Sequence, residues 1–353
     1  MGLKGFIVSS RPMNKETTEV VKNLLKSPQN IVIIGHRNPD GDALGSCLGL
    51  SFYLKSEGHN TTVLMPNDFP DFLKWMPGAD DILIYEKEIE KSTETLNQVD
   101  IIFTLDFNDL SRVGDPLKGV LEESSAKFVM IDHHQQPSNY AIATYSDVKM
   151  SSTAEMVYHF IDALAGTEKL SKEIATNLYT GIMTDTGSFR FSSTSPTTHK
   201  VAAKLIETGA ESAIIHQNVY DNNSPERMKL LGVALNNLHL IPELHTAYIT
   251  LTQSELDENN FRKGDTEGFV NYALSVKGIV FAVIFIENKQ ESIVKISFRS
   301  KGTFSVNDFA RNHYSGGGHI NAAGGKSSQD LNKTINEFIS ILPRYKNELA
   351  NAQ

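Results

Sequence analysis

The sequence predicts an α/β protein, with a doubly wound, mainly parallel sheet followed by a second, smaller α+β domain. In the first half of the chain, short apolar runs rich in β-branched residues alternate with helical stretches, a pattern typical of a parallel sheet covered by helices. After residue 245, strands and helices are mixed instead. The length of 353 residues also favours two domains, because most domains contain about 100–200 residues.

Apolar runs predict the strands of the parallel sheet. They are IVIIG at 31–35, TTVLM at 61–65, DILIY at 81–85, DIIFTLD at 100–106 and KFVMID at 127–132. The spacing of apolar residues predicts helices at 14–26, 43–57 and 196–210, and in the stretches TAEMVYHFIDAL and KEIATNLYTGIMTD. We therefore expect a first domain over residues 1–210.

The rest of the chain predicts a linker and a second domain. Residues 211–244 are polar and helical, which indicates a helical linker. Residues 245–353 contain the stretches HTAYITLT, IVFAVIFI and ESIVKISF, which predict strands, and helices near 266–276, 305–313 and 329–342. These residues are expected to form the smaller α+β domain.

Composition and charge narrow the classes of function. The chain carries 33 Lys and Arg against 42 Asp and Glu, a formal net charge of −9, which argues against wrapping long duplex nucleic acid. Cys47 is the single cysteine, so an internal disulfide and a cysteine-based zinc cluster are excluded, and we expect this residue in the core. The sequence has neither an apolar signal segment nor an 18-residue apolar run, so we expect a cytoplasmic protein without a membrane span.

Acidic residues and histidines directly follow three of the predicted strands. In an open α/β sheet, ligands bind in the crevice at the carboxyl ends of the strands. The residues concerned are His36, Asp40 and Asp42 after the first strand, Asp106 after the fourth, Asp132, His133 and His134 after the fifth, and Asp185 at the end of a predicted helix.

This set of side chains predicts a site for divalent cations. Carboxylates suit manganese or magnesium, and imidazole shifts the preference towards manganese. A surplus of carboxylates indicates two ions about 3.5–4 Å apart that share one carboxylate, an arrangement suited to attack at phosphorus. Gly41 is expected to allow a turn that directs neighbouring carboxylates at neighbouring ions. A competing interpretation makes Asp42 the N-cap of the helix that begins at Ala43.

A glycine-rich segment, SGGGHINAAGG at 315–325, predicts a second binding feature. Consecutive glycines expose backbone N–H groups that can form a nest for an anion, and His319 follows them directly. Arg299, at the end of a predicted strand, can bind a phosphate through two donors, and Lys301 adds positive charge. A flexible hinge is the competing interpretation.

Together these motifs resemble the DHH phosphoesterase superfamily. Four motifs are present as HRNPDGDALGS, TLDFND, IDHHQ and MTDTGSF, and SGGGHINAAGG with the preceding SFRSKG resembles the DHH-associated C-terminal domain. The resemblance spans nearly the whole chain in order, and within the superfamily it is to the nanoRNase/pAp-phosphatase group. It implies a doubly wound DHH domain, a helical linker and a smaller domain that closes over the cleft.

The resemblance also implies the metal ligands and the catalytic residues. The first metal ion would be held by His36 and Asp40, the second by Asp42, His133 and Asp185, and both by the bridging Asp106. The catalytic residues would be Asp106, His134, which would face the scissile phosphate, and Asp132, which would orient the histidine pair.

The resemblance further implies how the substrate is bound. The substrate phosphate would be held by Arg299, Lys301, His319 and the backbone of Gly316, Gly317 and Gly318, with Arg112 as a further contact. Ser315 departs from the family pattern, because many members have a fourth glycine there.

We therefore expect a manganese-dependent phosphohydrolase or phosphodiesterase in which two metal ions activate water. The expected substrates are short nucleotides such as oligoribonucleotides, pAp or linear dinucleotides, and magnesium and cobalt are the alternative ions. Exopolyphosphatase or inorganic pyrophosphatase activity is the alternative function, and a non-catalytic nucleotide-binding protein is a third interpretation. A homodimer is a further expectation.

Overall fold

The structure is a computed structural model that describes residues 13–352. Its contacts divide the chain into two compact units, Met1–Asn222 and Asn223–Gln353. This division lies within the segment 211–244 that was expected to be a linker. That segment contains a helix of the first unit and both a helix and a strand of the second.

The first unit contains a parallel sheet. Its strands are β1 (Asn30–Ile34), β2 (Asn60–Met65), β3 (Leu83–Ile84), β4 (Ile101–Leu105), β5 (Lys127–Asp132) and β6 (Ala143–Ser146). Among the described residues, the order across the sheet is β3-β2-β1-β4-β5-β6, and every neighbouring pair is parallel. The strand order reverses between β1 and β4, which is where doubly wound sheets open a ligand crevice. The predicted fold class is confirmed.

Helices cover both faces of this sheet. They are α1 (Lys15–Leu24), α2 (Gly41–Ser56), α3 (Ile89–Asn97), α4 (Asp115–Glu122), α5 (Thr153–Ala165), α6 (Lys172–Asp185), α7 (Pro196–Thr208) and α8 (Ser212–Tyr220). Alternate residues of β1 enter two separate cores, Ile33 with α2, α5 and α6, and Val32 with α3 and α4. Cys47 is fully buried in α2, as predicted.

Close packing of α2 on α6 explains the glycines at the start of α2. A β-carbon at Gly41 would collide with the side chain of Thr184, and one at Gly45 would collide with the carbonyl oxygen of Asn177. Gly41 lies in the first turn of α2 and its φ is not positive, so the expected turn-forming role was wrong. The glycines instead bring the α2 and α6 backbones together, and with them Asp42 and Asp185.

Two strands of the first sheet differ from the prediction. The run at 81–85 yields only two strand residues, because Gly78, at φ 84°, leads into a 3-10 turn over Ala79–Asp81. β6 was not predicted from the sequence. Its four residues alternate between buried and half-buried positions, so they lack the continuous apolar run that marks the central strands.

The second unit contains a mixed sheet with helices. Its elements are α9 (Pro225–Asn236), β7 (Leu238–Ile241), β8 (Thr246–Leu251), α10 (Gln253–Glu258), α11 (Phe269–Ser275), β9 (Phe281–Asn288), β10 (Ile293–Ser300), α12 (Val306–His313), β11 (Gly317–Gly318), β12 (Ala322–Ser327), α13 (Leu331–Ile341) and α14 (Lys346–Asn351). The order among the described residues is β11-β12-β10-β9-β8-β7, with β8 and β9 parallel and the other pairs antiparallel. The predicted α+β character is confirmed.

The glycine-rich segment is part of this sheet. Gly317 and Gly318 form β11 and pair with Gly324 and Ala323 of β12. A β-carbon at Gly316 would collide with the carbonyl oxygen of Gly324, so the close approach of the two strands requires glycine at this position.

Within residues 13–352, each helix is too short or too polar to cross a bilayer.

Candidate metal centre

His36 and Asp106 meet at the point where the strand order reverses. His36 follows β1 and Asp106 follows β4, and these two strands are hydrogen-bonded neighbours. The His36 Nε2 atom lies 3.3 Å from Asp106 Oδ2, and both residues are buried. Asp106 has a φ of 64°, a left-handed conformation that aspartate tolerates better than most residues. The tertiary fold thus brings together two residues that the sequence placed at separate strand ends.

Asp40 and Asp42 have different partners at the start of α2. Asp40 is the N-cap and accepts hydrogen bonds from the N–H groups of Asp42 and Ala43, both at 3.1 Å. The competing interpretation of Asp42 as the cap was therefore wrong. The Asp42 carboxylate instead accepts the N–H groups of Thr153 and Ala154 at the start of α5, at 2.7 and 2.8 Å. A helix N-terminus is a favourable place for a carboxylate.

His133 lies among three carboxylates. Its Nε2 atom is 3.5 Å from Asp185 Oδ2, 3.6 Å from Asp106 Oδ1 and 3.8 Å from Asp42 Oδ2. His133 is buried, whereas the Asp185 side chain at the end of α6 is 25% exposed. The four residues come from the ends of β4, β5, α6 and the start of α2.

Backbone carbonyl groups orient both buried imidazoles. His36 Nδ1 lies 2.9 Å from the carbonyl oxygen of Arg37, and His133 Nδ1 lies 3.2 Å from that of Met150. A carbonyl oxygen only accepts, so each Nδ1 carries the hydrogen. Each ring consequently directs Nε2 towards the carboxylates, which is the usual orientation of a metal-binding histidine.

His134 is held by Asp132 at the end of β5. Asp132 is fully buried; it accepts the His134 N–H at 2.9 Å and faces His134 Nδ1 at 2.7 Å. The His134 Nδ1 atom is also 3.7 Å from Asp106 Oδ1. A buried carboxylate on one ring nitrogen fixes the orientation of the imidazole.

Electrostatics indicate that this cluster suits a cation. Burial by itself would lower the pKa of His36, but Asp106 and Asp40 raise it to about 10. Burial, with the charges of Asp106 and Asp185, raises the pKa of Asp42 well above its usual value. Within residues 13–352, the ion pairs of these carboxylates are with histidines only. A divalent cation would compensate the repulsion between the acids.

The donor atoms fit divalent cations. The ligand atoms of His36, Asp40 and Asp106 all lie within 4.8 Å of one another, and so do those of Asp42, Asp106 and His133. Asp106 belongs to both groups, as a bridging carboxylate must. Carboxylate oxygens with one imidazole in each group suit hard or borderline divalent ions.

The second unit brings Arg299 and His319 to the same part of its own sheet. Arg299 in β10 pairs with Ala322 of β12, and the His319 N–H donates to the carbonyl oxygen of that same Ala322 at 2.7 Å. Arg299 is half-buried and its Nη1 donates to the Phe298 carbonyl oxygen at 3.0 Å. The Lys301 ammonium donates to the Ile279 carbonyl oxygen at 2.9 Å.

Backbone groups of the glycine-rich segment already have hydrogen-bond partners within the second unit, unlike those of the expected open nest. The Gly318 N–H donates to Asn307 Oδ1 at 2.8 Å, and Gly317 lies in a strand pair. The sequence did not predict that the buried Asn307 side chain binds the glycine-rich segment.

Arg112 of the first unit lies exposed in the 3-10 turn Leu110–Val113, and its carbonyl oxygen accepts the Arg37 N–H at 2.8 Å.

Sequence reasoning missed Thr153. Its hydroxyl donates to Asp106 Oδ1 at 2.9 Å, while its N–H donates to Asp42. The sequence does carry a signal, because the run SSTAE predicts a helix N-terminus with Ser152 as the cap. It gives no indication of which carboxylate that N-terminus contacts.

Both units match known family models. The model of the DHH family, N-terminal domain, matches residues 30–182, and that of the DHHA1 domain matches residues 244–345. The first match contains β1 to β6, and the second contains Arg299 and the glycine-rich segment.

Several proteins are similar over nearly the full length. A Thermus thermophilus protein named "Bifunctional oligoribonuclease and PAP phosphatase NrnA" is 33% identical over 344 residues, covering 97% of each chain. A Bacillus subtilis protein of the same name is 28% identical over 312 residues, 87% of this chain and 92% of the relative. The crystal structure of an exopolyphosphatase-related protein from Bacteroides fragilis has a TM-score of 0.92 and 36% identity, and covers 97% of this chain and 100% of that one. The chain therefore belongs to the DHH family of phosphoesterases, in its nanoRNase-like group, with an N-terminal DHH domain and a DHHA1 domain.

Proposed function

We propose that this protein is a divalent-metal-dependent phosphohydrolase or phosphodiesterase that hydrolyses short nucleotide substrates. The observation that carries the proposal is the position of Asp106, whose carboxylate belongs to two adjacent groups of metal-ligand atoms. The names of the relatives support oligoribonucleotides and pAp as substrates, and linear dinucleotides are a further proposed substrate. The formal net charge of −9 favours a pocket for a short ligand over a track for long nucleic acid.

The proposed metal ligands form two sets. His36 and Asp40 would hold the first ion, Asp42, His133 and Asp185 the second, and Asp106 both. Manganese is the expected ion, with magnesium or cobalt as alternatives. Two bound divalent ions would supply Lewis acidity at the phosphoryl oxygens and lower the pKa of water.

His134 and Asp132 are proposed to act next to the ions. Asp132, fully buried, holds His134 Nδ1 at 2.7 Å, so Nε2 is the ring nitrogen that Asp132 does not hold. An imidazolium in this position can donate a hydrogen bond to a phosphoryl oxygen and stabilise its developing charge. Asp132 fixes the orientation of that ring, so the pair would act as one unit.

The second domain is proposed to bind the substrate phosphate. We retain the assignment of 1–210 as the DHH domain, 211–244 as the linker and 245–353 as the substrate-binding domain. Arg299 and His319 share Ala322 as a backbone neighbour, so both can contribute donors to one phosphate. Lys301, Arg112 and the backbone of Gly316, Gly317 and Gly318 are the further proposed contacts. The cytoplasmic location and the homodimer also stay predictions.

A panel of substrates tests the function. Purified protein with manganese is assayed for release of phosphate or nucleotide from pAp, a dinucleotide, a pentanucleotide, pApA, polyphosphate and pyrophosphate. We expect the nucleotides to be preferred. Preference for polyphosphate would establish the exopolyphosphatase alternative, which the description of the Bacteroides fragilis structure favours. Tight binding of pAp without turnover would identify a binding protein instead.

A further inference from the structure

Residues 150–154, which lead from β6 into α5, contact three candidate metal ligands. Their main chain holds His133 Nδ1 at 3.2 Å and donates to the Asp42 carboxylate at 2.7 and 2.8 Å. Thr153 adds a hydrogen bond to Asp106 at 2.9 Å. The position of this short segment therefore sets the orientation of ligands from three different elements.

Glu155 lies directly after this segment and is 1% exposed. One oxygen of its carboxylate, Oε2, accepts a short hydrogen bond from the Ser151 hydroxyl and a second from the Thr198 hydroxyl at 2.9 Å. Its other oxygen lies 3.8 Å from Nε2 of His159. The carboxylate thus connects the 150–154 segment to α7.

Thr198 has a defined position at the start of α7. It forms a capping box with Ser195, in which the side chain of each residue accepts a hydrogen bond from the backbone N–H of the other. Burial opposes ionisation of Glu155, but His159 and the hydroxyls of Ser151 and Thr198 outweigh it and keep the pKa of Glu155 below its usual value. A buried carboxylate costs stability unless it is hydrogen-bonded, so simple space-filling does not explain a glutamate here.

We propose that Glu155 is a positioning residue of the metal centre, which fixes the 150–154 segment against α7 and thereby orients His133, Asp42 and Asp106. The proposal rests on the proposed function only for its activity measurement, because the metal ligands can be tested with manganese alone. Groups outside the immediate ligands commonly change metal affinity or activity about 10- to 100-fold when they are removed.

Two substitutions of Glu155 test the proposal. Glu155→Leu removes the acceptor at similar volume, and we expect manganese affinity, measured calorimetrically, to fall about 10- to 100-fold. With pAp, kcat should fall while KM changes little. Glu155→Gln keeps an oxygen that can accept from Ser151 and Thr198, so it should restore most of the manganese affinity and kcat.

A second pair of variants separates positioning from loss of stability. Ser151→Ala removes the hydroxyl that joins the segment to Glu155. Ser51→Ala removes a buried hydroxyl that is 2.7 Å from the Thr61 hydroxyl, in the same unit but between α2 and β2. We expect the two variants to lose a similar amount of thermal stability. Only Ser151→Ala should also weaken manganese binding. This pair of variants also tests the positioning role if Glu155→Leu does not fold.

The results separate this proposal from the proposed function. Folded Glu155→Leu with the manganese affinity and kcat of the wild type would overturn the positioning role, and so would equal losses of manganese affinity in Ser151→Ala and Ser51→Ala. If the wild type binds manganese but cleaves none of the nucleotides of the panel, while Glu155→Leu and Ser151→Ala lose manganese, the proposed function falls and the positioning role stands.

Discussion

The Thr153 hydroxyl donates a hydrogen bond of 2.9 Å to Asp106, although the two residues lie 47 positions apart. This contact joins the N-terminus of α5 to the carboxylate that is shared by both groups of metal-ligand atoms. It fixes which oxygen of Asp106 faces His133 and which faces His36, at 3.6 and 3.3 Å.

Removing this hydroxyl should weaken the metal centre without unfolding the protein. Thr153→Val keeps the volume and the backbone N–H group but loses the donor to Asp106. We expect manganese affinity to fall about tenfold, as for other groups that orient metal ligands. Thr153→Ser keeps the hydroxyl and serves as the control. Calorimetric manganese titrations of both variants check the prediction, and equal affinities would contradict it.

Replacing Asp106 should abolish hydrolysis. Asp106→Asn removes the charge of the proposed bridging ligand, and asparagine tolerates the φ of 64° at this position. The matched control is Asp100→Asn at the other end of the same strand, where Asp100 accepts the Asn30 N–H at 2.8 Å. We expect pAp turnover below detection for Asp106→Asn and near the wild-type rate for Asp100→Asn. Retained turnover of Asp106→Asn at saturating manganese would exclude the two-ion assignment.

Manganese binding should release protons at pH 7. The raised pKa of His36, about 10, means that this imidazole is protonated in the metal-free protein, whereas a metal ligand must be neutral. Calorimetry in buffers of different ionisation enthalpy should report roughly one proton or more per protein. A binding enthalpy that is independent of the buffer would contradict the prediction.

The raised pKa of His36 also predicts how the stability of the metal-free protein depends on pH. The folded pKa of His36 lies above its ordinary value of 6.5, so its stabilising contribution is fully present below pH 6.5. It is lost as the pH rises towards 10. Thermal unfolding of the metal-free protein between these values should show a falling midpoint, and His36→Gln should show a smaller fall.

Gly45→Ala should destabilise the first unit. A β-carbon there would collide with the carbonyl oxygen of Asn177 and would lie 2.9 Å from the N–H nitrogen of Gly181, so α2 and α6 must separate. We expect a loss of about 1–3 kcal/mol in the free energy of unfolding. Gly119→Ala in α4 is the control, since nothing lies within 4 Å of its added carbon. Denaturant titrations should show that Gly119→Ala is neutral or stabilising by up to about 1 kcal/mol.

Arg299→Ala should raise KM and leave metal content unchanged. Hydrogen bonds to a charged group contribute about 1.5–3 kcal/mol, so KM for pAp should rise roughly 10- to 100-fold. The control is Lys295→Ala, four residues earlier in β10, where Lys295 pairs with Glu291 at 2.8 Å. Loss of bound manganese in Arg299→Ala, or an equal rise in KM for Lys295→Ala, would remove Arg299 from the proposed substrate site.

The sequence by itself determined the parallel sheet and the residues at its strand ends. Runs such as IVIIG at 31–35 are short, apolar and rich in β-branched residues, which favours a strand inside a sheet that is covered on both faces, and Val32 and Ile33 lie in separate cores. Because the carboxyl ends of parallel strands share one edge, His36, Asp106 and His133 had to converge there.

Only the tertiary structure decided which donors hold these side chains. Asp42 and Thr153 are 111 positions apart, and the contact between them depends on how α5 packs beside α2. Likewise, the need for glycine at position 45 arises from the Asn177 carbonyl oxygen of another helix, which the local sequence does not indicate. Gly318 is a strand residue because it pairs with Ala323. Local patterns in a sequence report local backbone preference and burial, whereas these contacts arise from packing between distant segments.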